Sequence, residues 1–214
     1  MPRAKKPAFE HLPPRLLKQV TQAVDILRNG GVVAYPTDTV YGLGSDIYEH
    51  EAVRRVFNIK GRPLSLPLPV LIADIKEVDL LADEISPFAR ALMERFWPGG
   101  LTIILRKSAA LESLVLAGSH KIGIRLPDHA VPRILVSELG RPIVGTSANL
   151  HDRETTLTAG EVRSQLGNNV DLIIDAGKCR GGTESTIVDT TVEPPGILRR
   201  GIISEKAIMD LYVK

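Results

Sequence analysis

The sequence predicts an α/β domain, and three observations carry that expectation. Short apolar runs rich in β-branched residues alternate with stretches of helical periodicity along the chain. Several of those runs empty into hydroxyls, carboxylates or spaced glycines, the way α/β proteins present ligand groups at strand C-termini. A length of 214 residues suits one domain with a sizeable core.

Taken in order, Arg3, Lys5 and Lys6 with Pro2 and Pro7 predict a basic tail over residues 1–14, with the domain proper over 15–214. Pro13-Pro14 opens a helix to Asn29, with Leu16, Val20, Val24 and Leu27 on one stripe and Gly30-Gly31 as its stop. Val32 to Pro36 is a short strand that empties into a loop, Thr37 to Ser45, carrying Thr37, Asp38 and Thr39 and two spaced glycines. Glu49 to Asn58 has helical spacing at Ala52, Val53, Val56 and Phe57, and Leu68 to Ala73 is the apolar run that follows. Asp74 to Asp83 is a short helix. Ser86-Pro87 starts another, a hydroxyl cap with proline at the first helical position, which ends at Pro98-Gly99-Gly100. Trp97 is expected as a core anchor, because its neighbours are apolar.

Leu101 to Leu105 is the next strand, and Lys121 to Pro127 places Arg125 inside an otherwise apolar one. A guanidinium there needs partners: either a structural carboxylate or a site that receives an anion. Val131 to Leu139 is a helix closed by Gly140. Pro142 to Gly145 is a strand ending in Thr146-Ser147-Ala148-Asn149, which puts Ser147 and Asn149 on one side of an extended chain. Thr158 and Glu161 have capping-box spacing before a helix to Leu166. Leu172 to Asp175 and Ser185 to Asp189 are strands, Pro194-Pro195-Gly196 turns into Ile197 to Gly201, and Ser204-Glu205 caps a last helix to Tyr212.

Between the second helix and the run that follows it lies Ile59-Lys60-Gly61-Arg62-Pro63. Gly61 allows a backbone closed to other residues and Pro63 fixes a dihedral, so both cations could aim into one cleft. A compact ammonium beside a planar guanidinium suits a polyphosphate better than a lone carboxylate. The same residues also read as a solvated basic turn.

Composition removes several function classes. Net charge is +2, so a basic site is local rather than a property of the whole surface. Only 4% of residues are aromatic, few for a single-stranded nucleic acid binder. The lone Cys179 excludes an intrachain disulfide and fits a cytoplasmic protein; no run approaches a membrane span, and Met1 to Glu10 lacks a signal peptide's apolar segment. The five histidines are scattered, and the chain has no Walker-type loop, dinucleotide fingerprint or nucleophile elbow. An enzyme of this sequence is expected to work by positioning and charge, with no metal ligands of its own.

Seven segments in order carry a resemblance: Tyr35 to Gly44, Lys60 to Pro63, Phe96 to Thr102, Ile124 to Asp128, Thr146 to Asn149, Glu184 to Asp189, and Leu198 to Gly201. Together they are similar to the YrdC-like family, over nearly the whole chain from Val32 to Ile203. That resemblance implies a single domain with a twisted mixed sheet flanked by helices around a concave basic cavity. It also implies a nucleotidyl transfer, in which L-threonine, bicarbonate and ATP give threonylcarbamoyl-AMP and pyrophosphate for a tRNA adenosine modification. Carried over by motif, Lys60 and Arg62 would be catalytic and hold the triphosphate, with Mg²⁺ brought in on ATP. Ser147, Asn149 and Arg199 would contact nucleotide, and Thr37, Arg125 and Ser185 would hold threonine. tRNA, or the machinery that transfers the threonylcarbamoyl group to it, is the implied macromolecular partner.

The chain departs from the family at Leu66, where many members have a polar residue, and in the loop Leu150-His151-Asp152-Arg153 after Asn149. Those departures leave two alternatives open. One is a paralogue acting on another carbamoyl or acyl acceptor; the other is a structured-RNA-binding module without catalysis.

Overall fold

The computed structural model describes residues 12–212, and the expected basic tail lies almost wholly outside that range. Helix α1 (Pro14–Arg28) starts with proline at its first position, where no N–H is needed, and buries Val20, Ala23, Val24 and Leu27. It packs on α5 (Ala130–Leu139). The other helices are α2 (His50–Lys60), α3 (Val78–Leu81), α4 (Pro87–Phe96), α6 (Ala159–Leu166) and α7 (Glu205–Tyr212). Ser86 caps α4 by accepting from the Ala89 N–H, and Thr158 caps α6 by accepting from the Glu161 N–H. Glu161 reaches back to the Leu157 N–H, one residue before the cap.

The strands divide into two mixed sheets. In the first, β1 (Val33–Tyr35) lies between β2 (Gly42–Gly44), antiparallel, and β8 (Leu172–Ile173), parallel, with β7 (Thr146–Ser147) beyond β2. The second has the order β10 (Gly196–Arg199), β9 (Thr186–Asp189), β4 (Leu101–Arg106), β5 (Lys121–Arg125), β3 (Val70–Leu71), β6 (Ile143–Val144). Hydrophobic core lies under both, in one large cluster that includes Trp97 and a smaller one under α1 and α5. Trp97 is the anchor its neighbours predict: its ring is buried and its N–H donates to the Leu101 carbonyl at 2.7 Å.

Two expectations need correcting. The glycine-bearing stretch after β1 is not all loop, because Gly42 to Gly44 is strand β2, paired residue for residue with β1. The physical reason is the Tyr35 ring, which lies across both glycines. A Cβ on Gly42 would stand 2.5 Å from it, and one on Gly44 would stand 2.4 Å from the Val144 carbonyl. A strand of small residues under a cross-strand aromatic is stable where the same sequence alone is not. The Leu68–Ala73 run, for its part, yields only the two-residue β3, because Asp74 immediately caps the next turn by accepting from the Lys76 N–H.

The sheets meet at the β2 and β6 ends. Tyr35 Oη donates to the Val144 carbonyl at 2.6 Å, and the Val144 N–H donates to Ser45 at 2.9 Å. The chain leaves one sheet at Val144 and enters the other at Thr146, crossing at Gly145, where a Cβ would stand 2.6 Å from the Leu71 side chain. Gly44→Ala is therefore expected to force this seam apart and cost about 1–3 kcal/mol, read as a lowered melting temperature. Gly160→Ala, whose Cβ meets nothing nearer than 3.8 Å, should leave it unchanged or slightly higher.

Candidate functional site

Lys60 is the last residue of α2, and Gly61 ends the helix in the left-handed region at φ +62°, which glycine adopts without strain. That geometry turns the Lys60 side chain inward, where it is 3% exposed. Its ammonium donates to the Ser147 carbonyl at 2.5 Å, the Asn149 carbonyl at 2.7 Å and Asn149 Oδ1 at 3.2 Å. An ammonium has three N–H groups, so these partners occupy all of them. Burial, with Arg62 and Arg199 adding to it and Glu184 opposing, pushes the lysine down to about 8.

Arg62 is half-buried at the mouth of the cleft, where Nε donates to the Leu66 carbonyl at 3.2 Å and Nη2 to Pro67 at 3.0 Å. The departure at Leu66 thus still supplies a polar contact, through its backbone, while its side chain is exposed. The altered loop after Asn149 is tied in likewise. The His151 N–H donates to the Lys60 carbonyl at 2.7 Å, and Asn149 Nδ2 donates to Arg153 at 2.6 Å.

The cleft has two lobes sharing one wall, formed by Gly145, Thr146, Ser147 and Arg199. The deep lobe adds Thr37, Thr39, Arg125, Glu184 and Ser185; the outer lobe adds Arg62, Pro67 and Thr102. Of the eight residues singled out in the sequence, Thr37, Arg125, Ser147, Ser185 and Arg199 line the deep lobe, and Arg62 joins Ser147 and Arg199 at the outer one. Lys60 and Asn149 line neither lobe; they lie behind the shared wall and hold it. Ser147 and Asn149 meet at Lys60, through both main-chain carbonyls and the Asn149 side chain.

Arg125 has the structural carboxylate posed as one alternative, and it lines the deep lobe. It is 6% exposed, and Nη2 meets Asp38 Oδ1 at 2.6 Å while Nη1 donates to Thr39 Oγ1 at 3.0 Å and Nε to the Gly99 carbonyl at 2.9 Å. Burial lowers its proton affinity and Asp38 restores part of it. Three of its five N–H groups are committed among the described residues. Arg199 is placed comparably: it donates to the Ser185 carbonyl, to Glu184 Oε1 at 2.7 Å and to Ser185 Oγ at 3.0 Å.

Reading the sequence did not assign roles to Thr39, Thr102 or Glu184. Glu184 and Thr102 stand within the segments that carry the family resemblance, but a carboxylate before a strand and a threonine inside one carry no sign of their partners.

The family Sua5_yciO_yrdC, described as "Telomere recombination", matches residues 25–201. A Bacillus subtilis protein named threonylcarbamoyl-AMP synthase is 41% identical over 191 residues, 89% of this chain and 55% of that one. The structure of Pyrococcus abyssi Sua5 complexed with L-threonine superposes with a TM-score of 0.86 at 37% identity, over 90% of this chain and 56% of that chain. Escherichia coli YciO superposes with a TM-score of 0.82 at 30% identity, over 92% and 95%. The chain spans about half the length of the first curated relatives it matches.

Lys60→Met would leave the three oxygens around the ammonium unpaired in a closed pocket. It is expected to cost about 2–4 kcal/mol, a drop of roughly 5–15 °C in melting temperature, measured by calorimetry. A melting temperature unchanged by this substitution would contradict the structural role given to Lys60.

Proposed function

The chain belongs to the Sua5, YciO and YrdC family, and on that premise we propose that it forms L-threonylcarbamoyl-AMP and pyrophosphate from L-threonine, bicarbonate and ATP. The observation that carries this reading is the shared wall: a lobe of hydroxyls and a buried guanidinium adjoins one with unpaired positive charge. The threonine named in the Pyrococcus abyssi structure supports threonine as the amino-acid substrate, and in this reading it takes the deep lobe. Thr37, Arg125 and Ser185 would hold it there, with the Arg125 guanidinium meeting an anionic oxygen.

In this reading the amine of threonine, carboxylated by bicarbonate with loss of water, attacks the α-phosphorus of ATP through a carbamate oxygen. The bond to the β-phosphate oxygen breaks, and pyrophosphate leaves with the electron pair. Negative charge grows on the phosphates, and fixed cations stabilise it without reorganising. Arg62 and Arg199 face that charge across the outer lobe. Lys60 contributes its charge from behind the wall and fixes the Ser147 to Asn149 corner against which the nucleotide lies.

Mg²⁺ would enter on the triphosphate, since Glu184, the carboxylate lining the cleft, is held by Arg199. Once bound, the ion would neutralise phosphate charge. The product is an activated donor for tRNA modification, which makes tRNA or its modifying machinery the downstream partner and the cytoplasm the natural location. Among the described residues no helix is long and apolar enough to cross a membrane.

A second reading is favoured by the near full-length match to Escherichia coli YciO and by the altered loop after Asn149: the same fold acting on another acceptor. One assay separates the two. Pyrophosphate release should require both threonine and bicarbonate; release that persists without threonine, or prefers another amine, would sink the first reading and favour the second.

Arg62→Ala should lower the rate about 100-fold or more, as removal of a preorganised electrostatic donor does elsewhere. Its melting temperature should barely move, because the side chain caps only two loop carbonyls.

The rate should also fall on the alkaline side with a midpoint near pH 8, where a neutral Lys60 offers two N–H groups to three acceptors. The sign for stability is opposite. Lys60 in the folded chain lies below its ordinary 10.5, so between about 8 and 10.5 the unfolded chain binds more protons and this group's contribution rises with pH. An alkaline loss of rate without loss of folded protein is the expected result, read by pairing the rate profile with circular dichroism.

A further inference from the structure

We propose that Thr102 is a positioning residue for the amino-acid substrate: together with Arg199 it fills both lone pairs of Ser185 Oγ, so that Ser185 offers the deep lobe only a proton. This rests on assigning that lobe to threonine.

The parallel register of β4 and β9 sets Leu101 opposite Thr186 and Thr102 opposite Ile187, which brings the Thr102 side chain alongside Ser185, the residue before β9. Thr102 Oγ1 and Ser185 Oγ are 2.8 Å apart, with either able to donate. Arg199 removes the ambiguity. Its Nη2 approaches the same Ser185 oxygen at 3.0 Å, and a guanidinium only donates.

Thr102 is 2% exposed, and among the described residues its hydroxyl has no other hydrogen-bond partner. A buried O–H left without an acceptor is costly, so Thr102 donates to Ser185. With both lone pairs taken, the Ser185 proton remains, and Ser185, 4% exposed, lines the deep lobe. The ligand atom it meets must be an acceptor. Ser185, Arg125 and Arg199 therefore present donors together, and a group that can only donate finds no partner among them.

Thr102 lines the outer lobe while Ser185 lines the deep one, so this hydroxyl pair also connects the two. Loss of the Thr102 hydroxyl frees Ser185 to turn its proton toward the vacant side. The shape is nearly conserved in Thr102→Val, which isolates that effect.

The test is threonine affinity by calorimetry, with the KM for threonine and kcat, in Thr102→Val, Thr102→Ser, Ser185→Ala and Thr102→Val/Ser185→Ala. Thr102→Val should weaken threonine about 10-fold in affinity and KM, the worth of one hydrogen bond, with a smaller effect on kcat. Thr102→Ser should stay within about 2-fold, and Thr102→Val should add almost nothing once Ser185 is alanine. Wild-type affinity in Thr102→Val, a Thr102→Ser variant as weak as Thr102→Val, or single losses that multiply in the double variant would each overturn the proposal. If Thr102→Val does not fold, Thr102→Ala carries the same comparison. Absence of threonine binding to the wild-type chain overturns the assignment of the lobe as well, which separates that failure from failure of the Thr102 role alone.

Discussion

One ammonium, closed over by three oxygens, is what the cleft depends on. Lys60 ends α2 and binds the carbonyls of Ser147 and Asn149 together with the Asn149 side chain, so a helix terminus is fastened to the edge strand of a sheet far along the chain. Its own carbonyl accepts from the His151 N–H, closing the loop that follows. Remove that side chain and, among the described residues, no other side chain donates to the two inward-facing carbonyls, although a backbone oxygen away from water needs a donor. The wall shared by both lobes is therefore as well ordered as this one contact.

That arrangement has an electrostatic cost. Burial first, and neighbouring cations after it, lower both Lys60 and Arg62: Arg62 and Arg199 act on Lys60, Arg199 acts on Arg62, and Glu184 opposes on both, with Asp152 also opposing on Arg62. Lys60, Arg62 and Arg199 stand against two carboxylates, Glu184 and Asp152, so the cluster stays positive locally while the chain as a whole carries only +2. A fold holds such a cluster in place when an anion arrives to complete it, and the donors need not reorganise when it does. By contrast Arg125 is nearly self-sufficient, with Asp38 beside it, and suits a site that must orient a small ligand more than one that must absorb several charges.

Much of this was legible in the sequence wherever the cause is local. The Ser86 and Thr158 caps, the glycine stop of α2 and the Trp97 anchor follow from residues within a turn of one another. Strand β2 was not legible, because Gly-Leu-Gly becomes a strand only under the Tyr35 ring and against the Val144 carbonyl, contacts made across the chain. The division into two sheets depends on the crossing at Gly145, which looks like any glycine after an apolar run. Paired cations at the end of α2 stand out in the sequence, yet a sequence shows a charge and not the oxygens around it. So Lys60 reads as a phosphate grip when its N–H groups are already spent, whereas Arg62 keeps the exposure that reading requires. Thr102 was the least legible: a threonine in an apolar strand is an ordinary β-former until its neighbour is known.

The shared wall ties the two lobes together through one side chain. Arg199 donates to Ser185 twice, through its carbonyl and its hydroxyl, and lines both lobes itself. Any anion that draws the guanidinium toward the outer lobe must loosen one of those bonds, and with it the group that faces the deep lobe. Conversely, a ligand that fixes Ser185 holds Arg199 where a phosphate would meet it. The coupling is carried by two hydrogen bonds on a single side chain, a distance short enough that no longer pathway through the fold is needed.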